Sequence, residues 1–133
     1  MEDKIRILYI DDESHNLSSF VAHFRRESKY QIYIGSSGEE GLSILNNNDI
    51  HIIIADQRMA HMTGIEFIEQ AIKRFPEPMR IVVTAHREVT AIVNAFNEGK
   101  IFCYHDKPWN FDALQKSIDE AYNEYCNNKI AKK

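Results

Sequence analysis

Four short apolar runs each lead into a residue type that can do chemistry. Residues 7–10 run into Asp11-Asp12-Glu13, residues 52–55 into Asp56, residues 81–83 into Thr84, and residues 101–104, after a short turn, into Lys107-Pro108. Adjacent carboxylates crowded beside a third repel one another, so bringing them together is unfavourable unless a cation or a lysine neutralises them. Hard oxygen donors of this kind suit Mg2+, which takes one or two carboxylates, several waters and a phosphate oxygen. A carboxylate can also attack phosphorus to form an acyl phosphate. Such a transfer needs mainly positioning and charge neutralisation, with the ion on one side of Asp56 and Lys107 on the other.

Each residue has a plainer reading on its own. Asp11-Asp12-Glu13 reads equally as the amino-terminal cap of a helix, where acids favour the dipole, and Asp56 as a turn residue after a buried strand. Thr84 reads as a helix cap at a strand end and Lys107 as a solvated charge. What decides is whether one fold brings them all to one rim.

The elements that must do so are legible. Residues 5–10, 50–55, 80–84 and 101–104 are rich in Ile and Val and read as strands covered on both faces, while 30–34, interrupted by Gln31 and Tyr33, suits a sheet edge. Between them lie helix-period stripes, Leu17, Phe20, Val21 and Phe24 in the first and Leu114, Ile118, Ala121, Tyr122 and Tyr125 in the last. Ser37 with Glu40 and Thr63 with Glu66 have capping-box spacing, Asn110 can cap the last helix, Pro76 and Pro78 end the third, and Gly99 stops the fourth. Strand and helix alternate five times, which predicts a doubly wound α/β sandwich of parallel strands with helices on both faces. Chemistry in such sheets sits at the carboxyl ends of the strands.

Composition narrows the class. Apolar residues at 44% and charged residues at 27%, without repeats or Pro/Gly/Ser-rich linkers, predict one folded domain across residues 1–133 with its core in about 4–126 and no effector domain in view. A net charge of -4 with scattered Lys and Arg excludes the basic footprint of a nucleic-acid binder. The amino-terminal apolar run is too short for a signal sequence or a membrane span, so a cytoplasmic protein is expected, with Cys103 and Cys126 as thiols. Six histidines show no metal-ligand spacing.

Five segments carry a family resemblance: Ile-Leu-Tyr-Ile-Asp-Asp-Glu at 7–13, Ile-Ile-Ala-Asp-Gln-Arg-Met at 53–59, Met-Thr-Gly-Ile-Glu-Phe at 62–67, Ile-Val-Val-Thr-Ala at 81–85, and Tyr104 through Lys107-Pro108-Trp109. In this order they resemble the receiver domains of two-component response regulators, over about residues 4–125. The resemblance implies a flavodoxin-like (βα)5 sandwich with strand order 2-1-3-4-5. It implies that Asp56 is phosphorylated, that Asp11, Asp12 and the Arg58 backbone carbonyl join Asp56 around Mg2+, and that Thr84 and Lys107 contact the phosphoryl oxygens. The implied donor is a histidine kinase or a histidine phosphotransfer protein. Thr84 would then move toward the phosphate and the Tyr104 ring turn inward, altering the surface of the fourth helix, fifth strand and fifth helix, where an effector or a second copy would dock. Tyr104 reads equally as an ordinary half-buried aromatic on an edge strand. Arg58 and His86 stand where the family tunes the lifetime of the phosphoaspartate. The segment from Asn97 to Trp109 is similar to receivers attached to cyclic-dinucleotide modules. One departure is Ala60, where many relatives have proline, which predicts a less restrained loop.

Three rivals have discriminating features. A haloacid-dehalogenase-like phosphatase needs a second Asp two residues after the nucleophile, and Arg58 stands there. A flavodoxin needs a first loop that cradles phosphate, which Asp11-Asp12-Glu13 would repel. A degenerate receiver that only docks partners would not keep Asp11, Asp12, Asp56, Thr84 and Lys107 together.

Overall fold

The computed structural model describes residues 4–85 and 89–131; His86 lies outside them. Five parallel strands, β1 (Ile5–Ile10), β2 (Tyr30–Gly35), β3 (Ile52–Asp56), β4 (Met79–Thr84) and β5 (Cys103–Asp106), lie in the order β2-β1-β3-β4-β5. Helices α1 (Ser14–Phe24), α2 (Gly38–Asn47), α3 (Gly64–Arg74), α4 (Val89–Asn97) and α5 (Phe111–Ala131) connect and follow them. The expected doubly wound, flavodoxin-like fold and strand order are observed. Among the described residues no helix is long and apolar enough to cross a membrane.

Side chains alternate across a strand, and that alternation divides the core in two. Ile5, Ile7 and Tyr9 of β1 with Ile52 and Ile54 of β3 pack against Phe20 and Phe24 of α1 and Leu114 and Ile118 of α5. Leu8 and Ile10 with Ile53 and Ala55 pack against Leu45 of α2, Phe67 and Ile68 of α3 and Ile92 of α4. Fully burying one such side chain contributes about 1.5–3 kcal/mol, so neither face can be spared.

Two expectations need correction. The fifth strand, read as residues 101–104 and covered on both faces, is Cys103–Asp106 at a sheet edge, with Tyr104 exposed and Cys103 half-buried. Ile101 is buried ahead of the strand in the core shared with α2, α3 and α4, so its apolarity belongs to the loop. The Ser37–Glu40 pair is half a capping box: Ser37 accepts from the Glu40 amide at 3.1 Å, but the Glu40 carboxylate takes the Ser36 amide at 2.7 Å. Thr63–Glu66 forms the full box, Asn110 caps α5 at 3.0 Å, and Gly99 sits at φ 77° just past α4.

Candidate functional site

Register builds the rim. Ile10 pairs with Ala55, Asp56 with Val83 and Thr84 with Asp106, so Asp11, Asp56, Thr84 and Lys107 reach the same edge of the sheet. Backbone bonds extend the pairing past the strand ends, Asp11 N to Gly35 O at 3.1 Å, Gln57 N to Val83 O at 2.9 Å and Lys107 N to Thr84 O at 2.8 Å. Asp11 and Asp56 each follow, at a step of two, the residues that face α1 and α5. The carboxyl end of β3 is held from the other side. Buried Gln57 accepts the Ile65 amide at 2.9 Å on its side-chain oxygen and the Gly64 amide at 3.1 Å on its carbonyl. A Cβ on Gly64 would stand 2.6 Å from the Asp56 carbonyl oxygen, so α3 reaches the site this closely only with glycine there.

Asp11, Asp12 and Asp56 each offer a carboxylate oxygen, and these oxygens all lie within 4.8 Å of one another. Lys107 Nζ bridges two of them, 2.6 Å from Asp11 Oδ2 and 3.2 Å from Asp56 Oδ1, with all three side chains almost wholly buried. Burial first, and the charge of Asp11 next, push the Asp56 carboxyl up to about 6 against the pull of Lys107. One ammonium therefore does not neutralise the cluster. A hard divalent cation fits this donor set, because it supplies the missing positive charge to three crowded oxygens.

Asp11 is the most firmly held acid. The Tyr9 hydroxyl donates to Oδ2 beside Lys107, and the Glu13 amide donates to Oδ1 at 2.9 Å. Burial and Asp11 itself raise the Tyr9 phenol well above its ordinary value, so it remains a donor. Glu13 is the N-cap of α1 but makes no side-chain cap hydrogen bond, so the acidic run is not a hydrogen-bonded helix cap. Asp12 is exposed and accepts the Ala60 amide at 2.8 Å. The expectation of a less restrained loop at Ala60 is thus altered, because the N–H that proline lacks ties the loop to the rim. His61 beside it takes φ 69°, and Met62 N donates to Ala60 O at 2.8 Å.

The remaining predicted residues fall in two places. Arg58 is exposed and lines the cleft over Asp56 with Glu13, Lys107 and Trp109. Thr84 is buried at the end of β4, whereas Tyr104 lies outside the cleft, exposed, its ring edge-on to Phe96 at 6.3 Å. Sequence reading missed Tyr9 and Gln57. The sequence reading gives Tyr9 no role beyond the strand at 5–10, yet its place two residues before Asp11 puts both side chains on one face, the signal that identifies it.

Comparisons with known proteins agree with this fold. The family model described as the response regulator receiver domain matches residues 7–119. The hydrogenase transcriptional regulatory protein HoxA of Cupriavidus necator is 32% identical over 122 residues, 91% of this chain and 25% of that protein. The chain thus spans about a quarter of the length of the curated relatives it matches. Among solved structures, the CheY-like receiver domain protein of Methanospirillum hungatei superposes with a TM-score of 0.86 at 28% identity, covering 96% of this chain and 99% of that one. A chain described as adenylate cyclase from Rhodopirellula baltica gives 0.89 at 25% identity, covering 98% of each.

Proposed function

Because the chain belongs to the response regulator receiver domain family, we propose that Asp56 is its phosphoacceptor, with Asp11, Asp12 and the Arg58 backbone carbonyl completing a Mg2+ site and Lys107 and Thr84 serving the phosphoryl oxygens. The observation that carries this reading is Lys107 bridging Asp11 and Asp56 inside a cluster of three carboxylates. Mg2+, when bound, supplies positive charge shared between the acids and the incoming phosphoryl group.

An Asp56 carboxylate oxygen attacks phosphorus, the bond from phosphorus to a histidine nitrogen of the kinase or phosphotransfer protein breaks, and that nitrogen recovers a proton. Lys107 Nζ, already 3.2 Å from Asp56 Oδ1, meets the new phosphoryl oxygens, and the Thr84 hydroxyl donates from the neighbouring strand. The added charge favours a second packing of β4 and β5 in which Tyr104 turns from Phe96 toward the space Thr84 leaves. The surface that changes is α4, β5 and α5, which meets an output element or a second copy. Cys103 and Cys126, both free thiols, suit the cytoplasm.

Incubation with acetyl phosphate and Mg2+ tests the reading. The wild type gains the mass of one phosphoryl group, while Asp56→Asn and a wild-type sample with EDTA do not. A wild type whose mass never changes would be a docking module, and the phosphoacceptor reading would be lost.

A further inference from the structure

Asp11 is fully buried, and its Oδ2 receives two donors, the Tyr9 hydroxyl and Lys107 Nζ at 2.6 Å. Phosphoryl transfer asks Lys107 to turn to oxygens that are not there beforehand. A buried carboxylate oxygen that loses its donor has no water to replace it, and it can rotate away from the ion it should hold. Tyr9 is placed to prevent this. Its ring is fully buried, stacked on Phe20 with centroids 4.6 Å apart and met edge-on by Trp109 at 5.6 Å. The hydroxyl therefore cannot swing away with the lysine. A phenylalanine would fill the same space between the same rings, so packing alone does not account for the oxygen.

We propose that Tyr9 is a positioning residue for the cation and phosphoryl chemistry: its hydroxyl keeps the Asp11 carboxylate oriented when Lys107 leaves it for the phosphoryl group. This rests on the phosphoacceptor reading above and adds a residue to it. Outer partners of metal ligands typically change affinity by about 10–100-fold when removed, and Tyr9 contributes at the low end because Glu13 N still holds Oδ1.

The test is Tyr9→Phe in the full chain. Mg2+ alone is titrated calorimetrically and by fluorescence of Trp109, the chain's single tryptophan, whose ring lies 5.3 Å from Lys107 Nζ. The expected result is a Mg2+ dissociation constant raised about tenfold, with metal-free melting close to wild type. Acetyl phosphate labelling then needs proportionally more Mg2+. In a Lys107→Met background the same substitution has a larger effect, because Oδ2 then keeps neither donor. An unchanged Mg2+ constant with a lowered melting temperature makes the hydroxyl purely structural and overturns the proposal. Equal effects in both backgrounds overturn the hand-over from lysine to tyrosine. A wild type that neither binds Mg2+ nor takes a phosphoryl group removes the phosphoacceptor reading itself, which sets that failure apart from a silent Tyr9→Phe.

Discussion

The two faces of the sheet are packed from different materials. Against α1 and α5 lie rings: Tyr9 stacks on Phe20, Phe20 meets Phe24 at a tilt of 38°, and Trp109 stacks on Phe111 with centroids 5.3 Å apart. Against α2, α3 and α4 the core is mostly Leu, Ile, Val and Ala, with Phe67 the buried ring among the described residues. The rim inherits the difference. Asp11 and Asp56 stand on the aromatic side with Lys107 between them, whereas Asp12, Thr84 and Tyr104 follow the alternation of the aliphatic side. Stacked rings have few alternative rotamers, so one half of the site is clamped. The other half opens onto α4 and the exposed Phe96 and Tyr104, the surface proposed to change on phosphorylation.

The largest effects probe the clamp directly. Phe20→Ala removes the ring under Tyr9 and should destabilise by about 3–5 kcal/mol, while Leu45→Ala on the other face should cost about 2–5 kcal/mol. Urea denaturation measures both. Mg2+ affinity separates them: it should fall for Phe20→Ala, which loosens Tyr9, and hold for Leu45→Ala. If both constants move together in proportion to lost stability, the two faces are equivalent supports and the contrast is broken.

Asp56 sharpens the comparison at intermediate size. Its carboxyl is raised from 3.8 to about 6, by burial first and Asp11 next. The folded state therefore binds a proton more tightly than the unfolded chain, so stability falls as pH rises from about 4 through about 6 and stays reduced above that. Asp56→Asn removes this burden and should stabilise the metal-free protein at pH 7 by roughly 1–3 kcal/mol, a gain that vanishes below about pH 4. Lys107 keeps Asp11 as its partner in the variant. Thermal melts across pH test it, and a difference that ignores pH would mean that the crowding of acids is already relieved in the folded protein.

The parts legible in the sequence were those set by periodicity and by strand ends. Apolar runs located β1, β3 and β4 to within two residues, and the residues just past them formed the rim because parallel register aligns such ends. The resemblance supplied the strand order that alternation alone leaves open. β5 was displaced because Ile101 looks like strand but joins the core shared with α2, α3 and α4 ahead of it, a tertiary choice that no local pattern encodes. Glu40 turned to Ser36 instead of Ser37 for a similar reason, since one carboxylate can reach two neighbouring amides. Tyr9 was legible in principle from the two-residue period. Ala60 was not, because no propensity tells a loop amide which distant carboxylate it will meet.

Ala60 gives the smallest expected effect and the most direct contrast between the two neighbouring acids. Asp11 is buried, so every donor it loses leaves an oxygen without a substitute; Asp12 is exposed, so water replaces what the Ala60 amide provides. Ala60→Pro deletes that amide. The lost exposed hydrogen bond and the reduced freedom of the unfolded chain nearly offset, leaving stability within about 0.5 kcal/mol of wild type. The amide competes with a cation for Asp12, so its removal should tighten Mg2+ binding by about two- to threefold, equivalent to roughly 0.5 kcal/mol. Donors to the two adjacent acids would then act with opposite sign, the buried Tyr9 hydroxyl supporting the ion and the exposed Ala60 amide opposing it. Parallel Mg2+ titrations of Tyr9→Phe and Ala60→Pro decide the matter, and a loss of affinity in both would mean that burial does not distinguish how the two acids are held.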